Sequence, residues 1–119
     1  MKPPDRATRK VVLPRQRPSE VEALVRELAK DSRNVRWRSA SYETHAESRM
    51  EWRGITDVMM FEVLRTGYLK GGVEAGQRQG ELKVKMCKKM KGLREVGVVT
   101  LVIDQKRLFI KTVEWEDPR

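Results

Sequence analysis

The 119-residue sequence contains very few of the residues that build metal centres and disulfides. It has a single cysteine, Cys87, and a single histidine, His45. One thiol excludes an internal disulfide, and one thiol with one imidazole falls short of the ligand set of a structural zinc site. We therefore expect no cofactor and no zinc-type metal site, with magnesium held by carboxylates as the open alternative.

Long apolar runs are also absent. No stretch approaches the roughly 20 apolar residues that a membrane-spanning helix needs. The amino terminus, MKPPDRATRK, lacks the apolar segment of a secretory signal. These features predict a cytoplasmic protein with no membrane partner, and 119 residues suit a single domain with one modest core.

Acidic residues are outnumbered by basic ones. The chain carries 26 lysines and arginines against 17 aspartates and glutamates, which gives a formal net charge of +9 and a pI of about 10.1. A positive field of this kind attracts phosphate backbones, anionic lipid or an acidic protein. The partner is therefore expected to be anionic.

Composition divides the chain into two parts. Residues 1–18 hold four of the five prolines, and Asp5 is their only acid against six basic residues. Such a segment lacks the apolar surface that would offset the entropy cost of ordering it. We predict a flexible basic arm over residues 1–18 and a single α+β domain over residues 19–119.

Three stretches after the arm have helical periodicity. The first follows Ser19, which we expect to act as its N-terminal cap. The second runs to about Arg53, where Gly54 is expected to stop it. The third begins after a capping residue, Thr56, and ends at Gly67. Three helices are therefore predicted before the chain changes its pattern.

After Gly67 the pattern alternates with the period of a β-strand. The stretch ELKVKMCKKM predicts a strand with one buried face, and VGVVTLVIDQKRLFIKTVEWED predicts a hairpin in which Phe109, Lys111 and Val113 share a face. GYLKGGV is a candidate edge strand, and VRWRSA is interpreted as an extended connection. The expected fold is α+β, with N-terminal helices packed on one face of a C-terminal antiparallel sheet of three to four strands. The other face of the sheet is then free for a ligand.

The most basic stretch is KVKMCKKMKGLR, which carries six basic residues and no acid. Lysines on one side of a strand, followed by a basic loop, predict a groove that binds phosphates. The alternative is that these lysines protect an edge strand against aggregation. With Arg107 of the hairpin, the residues that we expect to contact backbone phosphates are Lys83, Lys88, Lys89, Lys91, Arg94 and Arg107.

His45 and Arg49 are four residues apart, so they share one face of the second predicted helix. An imidazole can move the protons of a phosphodiester cleavage, and a guanidinium can offset the charge of its transition state. The structural alternative leaves His45 hydrogen-bonded within the helix layer and pairs Arg49 with Glu43, Glu47 or Asp57. Spacing alone does not separate the two.

Other residues are weaker candidates for chemistry. Lys111 lies in an apolar row, so it is either at the rim of the sheet or desolvated. The tryptophans Trp37, Trp52 and Trp115 are expected in the core or at its edge, with base stacking as the alternative. Cys87 lies near the basic stretch, which would lower its pKa, but no second histidine is available for a cysteine hydrolase site.

The segment THAESRMEWRGIT resembles the bacterial family catalogued as domain of unknown function 4258. That family has a helix of the form His-Ala-x-x-Arg-Met-x-x-Arg-Gly-Ile, which is matched here from His45 to Ile55. The TGYLKGG turn and the terminal hairpin extend the resemblance over residues 42–116. The front of the domain, SEVEALVRELAKDSRNVRWRSAS, is similar to the opening of the motility quorum-sensing regulator toxins.

Both families are similar to the RelE-like ribonuclease toxins, in which helices pack on an antiparallel sheet. The resemblance implies a metal-independent endoribonuclease that cleaves messenger RNA, the toxin of a type II toxin–antitoxin system. Its partners would be RNA and a cognate antitoxin, often one with a helix-turn-helix. The implied catalytic roles are acid or base for His45, charge stabilisation for Arg49 and Lys85, and assistance from Lys111. The alternative is a non-enzymatic module that binds nucleic acid or protein through its basic sheet face.

Overall fold

The structure is a computed structural model that describes residues 17–37, 46–92 and 94–116, without the side chains of residues 47, 48 and 91. Residues 1–16 of the predicted arm lie outside the described residues, as do His45 and the two residues considered as caps of the second helix, Ser41 and Thr44. None of the described helices is long and apolar enough to cross a membrane. The elements are α1 Pro18–Ala29, β1 Val35–Arg36, α2 Ala46–Arg53, α3 Asp57–Thr66, β2 Tyr68–Ala75, β3 Leu82–Lys91, β4 Arg94–Ile103 and β5 Arg107–Trp115.

The strands form one five-stranded sheet in the order β1-β5-β4-β3-β2. Neighbouring strands from β2 to β5 are antiparallel, whereas β1 pairs parallel to β5, with Val35 opposite Leu108. The α+β class and the edge strand GYLKGGV are confirmed. VRWRSA contributes β1, which lies between α1 and α2. The sheet therefore has five strands and not three to four, it is mixed and not antiparallel throughout, and two of the helices follow its first strand. A strand of only two residues has no alternation for a sequence pattern to detect.

One face of the sheet carries the core. Helices α1 and α3 pack together and lie against this face, while α2 packs beside β5. The alternation predicted for β3 is confirmed, because Leu82, Val84 and Met86 are buried in the core while Lys83 and Lys85 between them are only half-buried. The helical residues of the core are Val21, Val25, Ala29, Ala46, Met50, Met60, Val63 and Leu64.

The helix ends follow local rules at most positions. The Thr56 hydroxyl accepts a hydrogen bond from the Met59 N–H at 3.1 Å, which confirms the predicted cap of α3. Gly54 follows α2 with a φ of +71°, a left-handed conformation that suits glycine, and confirms the predicted stop. Ser19 does not cap α1. That helix already begins at Pro18, whose fixed φ suits the first turn of a helix.

Three hydrogen bonds that involve side chains fasten α1 to α3 and to the start of β2. The Arg26 guanidinium donates through Nε to the Gly67 carbonyl at 2.9 Å, and the Leu69 N–H donates to the Glu22 carboxylate at 2.8 Å. Arg65 donates to the Ala29 carbonyl at 2.6 Å, one of the carbonyls that the end of α1 leaves without a helical partner. These bonds join α1, α3 and β2 into one unit.

A β-bulge interrupts the last strand. Val99 pairs with Thr112 and Thr100 pairs with Ile110, so Lys111 is an extra residue in β5. Lys111 and Thr112 consequently line the same cavity, and Val113 returns to the core. The expectation that Lys111 shares a face with Val113 is wrong, because simple alternation does not include bulges.

Gly67 allows the close approach of α3 to β3. A methyl group at this position would collide with the carbonyl oxygens of Val63 and Cys87. Gly67→Ala should therefore lower the free energy of unfolding by about 1–3 kcal/mol, as overpacking does. Gly72→Ala is the matched control, because a methyl group there meets nothing within 4 Å, and its effect should stay within about 0.5 kcal/mol. Urea denaturation measures both, and equal midpoints for the two variants would contradict the packing role of Gly67.

Candidate nucleic-acid interface

The face of the sheet opposite to α1 and α3 contains a basic cavity of about 550 Å³, the central cavity. Strands β2 to β5 all contribute to it, and α2 supplies one side chain from the edge. Three of the four residues predicted to be catalytic line this cavity together, while His45 lies outside the described residues. The charged residues that line it are Arg49, Lys70, Glu74, Lys83, Lys85, Lys111 and Glu114.

Helix α2 is held in place by a reciprocal pair of hydrogen bonds with β5, the α2–β5 clasp. Arg53 donates through Nη1 to the Val113 carbonyl at 2.7 Å, and the Trp115 indole N–H donates to the Arg53 carbonyl at 2.9 Å. Met50 is buried in the core on the same helix. The clasp and this anchor position the exposed Arg49 side chain at the central cavity.

Three cations of the central cavity have no ion-pair partner among the residues that the structure describes. They are Arg49, Lys83 and Lys111, each without a carboxylate within 4.0 Å in the described part of the chain. Asp57, considered as a partner of Arg49, makes no such contact. An anionic ligand can therefore bind at these charges without breaking an ion pair between described residues, whereas Glu43 and the Glu47 side chain, the other two partners considered for Arg49, lie outside them.

The other two lysines of the cavity are neutralised. Lys85 lies 3.1 Å from a Glu116 oxygen and 3.4 Å from a Glu114 oxygen, and Lys70 lies 3.2 Å from both Glu95 and Glu116. Burial opposes the charged form of Lys85, but the hydrogen bonds and charges of Glu116 and Glu114 outweigh it and raise its pKa. Lys85 is thus held as a cation and is unsuited to accept a proton.

Glu116 reaches these lysines because β4 has a glycine beneath it. A methyl group at Gly97 would overlap the Glu116 carboxylate. The Glu116 side chain is only 8% exposed, and the Glu116 N–H is bonded to the Glu95 carbonyl at 2.8 Å. Glu116, together with Glu95 and Glu114, therefore neutralises part of the lysine-rich face.

Thr112 also forms part of the cavity wall. Its Oγ1 atom is buried and has no hydrogen-bond partner among the residues that the structure describes. A buried hydroxyl without a partner costs free energy, and a ligand in the cavity does not reach this atom because it has almost no accessible surface. The bulge at Lys111 brings Lys111 and Thr112 to the same cavity wall, where Lys111 contributes the charge.

A second basic cavity of about 490 Å³ adjoins the first and shares Lys111 with it. Its wall includes Arg36, Arg78 and Arg107, while Glu81 accepts hydrogen bonds from the backbone N–H groups of Gln77 and Arg78. Arg107 also lies 3.7 Å from the Asp104 carboxylate. Both side chains are exposed, so this ion pair contributes little to stability. We define the basic track as Arg36, Arg49, Arg78, Lys83, Arg107 and Lys111.

Sequence reasoning missed Arg36 and Arg78 as members of this track. Arg36 lies in β1, the strand that the sequence pattern does not reveal, and Arg78 lies in the turn between β2 and β3. Neither belongs to a basic run. Only the pairing of β1 with β5 and the path of the β2–β3 turn bring them to the cavity that contains Arg107.

The predicted phosphate-binding stretch, residues 83–94, does not form one surface. Lys83 lines the central cavity, whereas Lys88 bonds to the Glu62 carboxylate and the Thr66 hydroxyl of α3, both at 2.7 Å. Arg94 lies over the Trp115 ring at 4.1 Å. Lys89 is exposed, and the side chain of Lys91 lies outside the described residues. Alternation along β3 separates lysines that are close in sequence.

Cys87 is buried and unreactive. Burial, followed by the charges of Glu116 and Glu95, raises the pKa of its thiol to about 12. The expectation of a lowered pKa is wrong, because these effects outweigh the opposing charges of Lys70 and Lys85. The thiol and these two carboxylates lie within 4.8 Å of one another. Lys70 and Lys85 already neutralise the carboxylates, and a protonated thiol is a poor ligand, so these groups do not suit a metal cation.

Tyr68 completes the charged network on this face. Its hydroxyl donates to a Glu95 oxygen at 2.5 Å. This bond lowers the pKa of Glu95 and raises the pKa of Tyr68 to about 12. The phenol therefore stays protonated at neutral pH and serves as a donor within the network.

The raised pKa of Cys87 predicts a loss of stability in alkali. Below pH 9.0 the thiol is neutral in both states. Between that value and about 12 only the unfolded chain releases the proton, so the free energy of unfolding falls by up to about 1.4 kcal/mol per pH unit. Urea denaturation at pH 8 and at pH 10 measures this change. Between these two pH values the free energy of unfolding should fall by about 1 kcal/mol less for Cys87→Ala than for the wild type. Equal losses in the two proteins would show that Cys87 is accessible to water in the native state.

Searches of protein-family models, curated proteins and solved structures find no match to this chain. The similarity of residues 42–116 to domain of unknown function 4258 and to RelE-like toxins therefore stays a resemblance.

Proposed function

We propose that this protein binds single-stranded RNA along the basic track and cleaves it as a metal-independent endoribonuclease, the toxin of a type II toxin–antitoxin system. The observation that carries the proposal is the central cavity, where Arg49, Lys83 and Lys111 have no ion-pair partner among the described residues. Several positive charges in one concave site suit a phosphate group.

The shape of the track favours a nucleic-acid strand over a flat anionic surface. Its charges line two adjoining cavities that share Lys111, so successive phosphates of one flexible strand can reach them. A lipid surface would contact only the outermost charges. RNA binding through such a groove is driven by the release of counterions and weakens as salt rises.

Cleavage would proceed by attack of the ribose 2′-oxygen on the adjacent phosphorus. The bond to the 5′-oxygen of the next nucleotide breaks, which leaves a 2′,3′-cyclic phosphate and a 5′-hydroxyl. His45, assigned from the sequence, takes the 2′-hydroxyl proton or supplies the proton of the leaving oxygen. Arg49 and Lys111 offset the charge that develops on the phosphoryl oxygens. Lys85, which was expected to do the same, is already neutralised by Glu114 and Glu116 and helps to hold the site together.

An antitoxin would inhibit this activity by covering the basic track with acidic side chains. The track has a surplus of positive charge, and its cations are accessible to a partner from the open face. Such a complex would form fastest at low salt, because opposite charges steer the encounter.

A non-enzymatic RNA-binding module is the second candidate. It is favoured by one observation, that both Lys70 and Lys85 of the central cavity are ion-paired and thus unsuited to proton transfer. RNA that is bound with the predicted salt dependence but remains intact would identify this candidate as correct.

Two lysines on opposite faces of β3 test the binding surface. Lys83→Gln should weaken single-stranded RNA binding and reduce the slope of log affinity against log salt by about 0.7, because one phosphate contact is lost. Lys88→Gln removes the same charge from the same strand but on the side of α3. Its slope should equal that of the wild type. Fluorescence anisotropy with a labelled oligonucleotide over a salt series provides the measurement.

The Lys88 variant also controls for net charge, since both substitutions lower it by one unit. Equal slopes for the two variants would mean that RNA binding follows overall charge and not the central cavity. A reduced slope for Lys88→Gln alone would move the binding surface to the helix side of β3.

The catalytic assignment is tested by His45→Ala and Arg49→Ala. His45→Ala should reduce RNA cleavage by about 10² to 10⁴-fold with little change in RNA affinity, because it removes proton transfer only. Arg49→Ala should reduce both cleavage and affinity. Gel analysis of a labelled RNA gives the rates, and thermal melting serves as the control for folding. Full cleavage by a folded His45→Ala variant would exclude a catalytic role for this residue.

A further inference from the structure

We propose that the cavity beside Trp52 is a guanine-binding pocket for a nucleotide whose phosphate lies in the central cavity. The inference rests on the proposed RNA binding and assigns a base preference to it. This pocket has a volume of about 460 Å³ and lies where the end of α2 meets the ends of β4 and β5. Its walls are formed by Trp52, Arg53, Lys85, Arg94, Glu114 and Trp115, together with Glu116.

Trp52 is unusual because its side chain has no structural use in the described fold. The residue is 83% exposed, although tryptophan at the core or its edge was the expectation for all three tryptophans. Trp37 and Trp115 do pack against the core. An exposed indole beside a cavity offers a flat apolar face, and single-stranded nucleic acids are commonly bound by stacking bases on such faces.

The position of Trp52 on α2 connects the base to the phosphate. Trp52 follows Arg49 by three residues, so the two side chains are neighbours on the helix surface. Arg49 lines the central cavity and Trp52 lines the adjoining pocket. The two cavities also share Lys85 and Glu114. A nucleotide bound with its phosphate near Arg49 therefore has its base within reach of Trp52.

The polar groups of the pocket match guanine. Glu114 is half-buried and presents a carboxylate, which can accept hydrogen bonds from two adjacent donors. Guanine has N1–H and its N2 amino group side by side on the Watson–Crick edge, whereas adenine places the N1 acceptor there and would face the carboxylate with a lone pair. Arg94 lies in the same wall, with its guanidinium over the Trp115 ring at 4.1 Å.

Contacts within the fold hold most of the pocket wall in place. The α2–β5 clasp fixes Arg53 and Trp115, and the guanidinium of Arg94 lies over the Trp115 ring. Lys85 holds the Glu114 carboxylate from one side. Groups that are already ordered lose little entropy when they bind, so they contribute more of their interaction to affinity.

The test is a titration of the full-length protein with the 3′-monophosphates of guanosine, adenosine, cytidine and uridine. The indole N–H signals in NMR spectra report binding. Guanosine 3′-monophosphate should bind at least about tenfold more tightly than the other three, as a matched base edge predicts. Trp52→Ala should weaken its binding by about tenfold or more, and Trp52→Phe should recover most of the loss because phenylalanine also stacks.

Two further variants separate the base from the phosphate. Glu114→Gln should reduce the preference for guanosine over adenosine, because the amide presents one acceptor where the carboxylate presents two. Lys83→Gln should weaken all four nucleotides equally, because it acts on the phosphate. Trp52 is exposed, so its variants should melt at the temperature of the wild type.

The same titrations distinguish failure of this inference from failure of the proposed function. RNA binding without any preference among the four nucleotides, or an unchanged preference in Trp52→Ala, overturns the guanine pocket and leaves RNA binding in place. The protein could instead bind guanosine 3′-monophosphate with a preference that depends on Trp52 and fail to bind RNA oligonucleotides. That result supports the pocket and overturns the proposed function. Absence of both kinds of binding overturns both.

Discussion

The α2–β5 clasp is the contact on which the candidate site depends. Helix α2 is short, and an isolated helix of eight residues is not stable in water. It keeps its place because Arg53 and Trp115 exchange hydrogen bonds with backbone carbonyls across the two elements, and because Met50 is buried beside them. The same helix carries Arg49 and Trp52, so one docking interaction positions both the phosphate-binding charge and the exposed ring.

The open face of the sheet divides its lysines by function. Glu116 lies over Gly97 and, together with Glu95 and Glu114, neutralises Lys70 and Lys85, which makes these two cations a fixed part of the scaffold. Lys83 and Lys111 have no such partner in the described chain and keep their charge for a ligand. A count of basic residues therefore overstates the charge that is available for binding, and the acidic end of the chain determines where that charge lies.

Local sequence signals predicted much of the fold. The cap at Thr56, the stops at Gly54 and Gly67 and the alternation of β3 depend on residues close in sequence, and all four are confirmed. Alternation also places Lys83 and Lys88 on opposite faces of β3. Sequence reasoning missed this separation because it treated the basic residues as one stretch. The strand β1 and the bulge at β5 depend on pairing between distant segments, which no local pattern records.

The candidate site could be predicted only in part, for the same reason. Arg49, Lys83 and Lys111 were selected from helical spacing and charge, and the fold brings all three to one cavity. Arg36 reaches the track through β1, and Lys111 and Thr112 line one cavity together because of the bulge. The exposure of Trp52 depends on which face of α2 the clasp turns toward β5. Charge is a property of the sequence, whereas the donors and the ring that would give this surface selectivity depend on long-range packing.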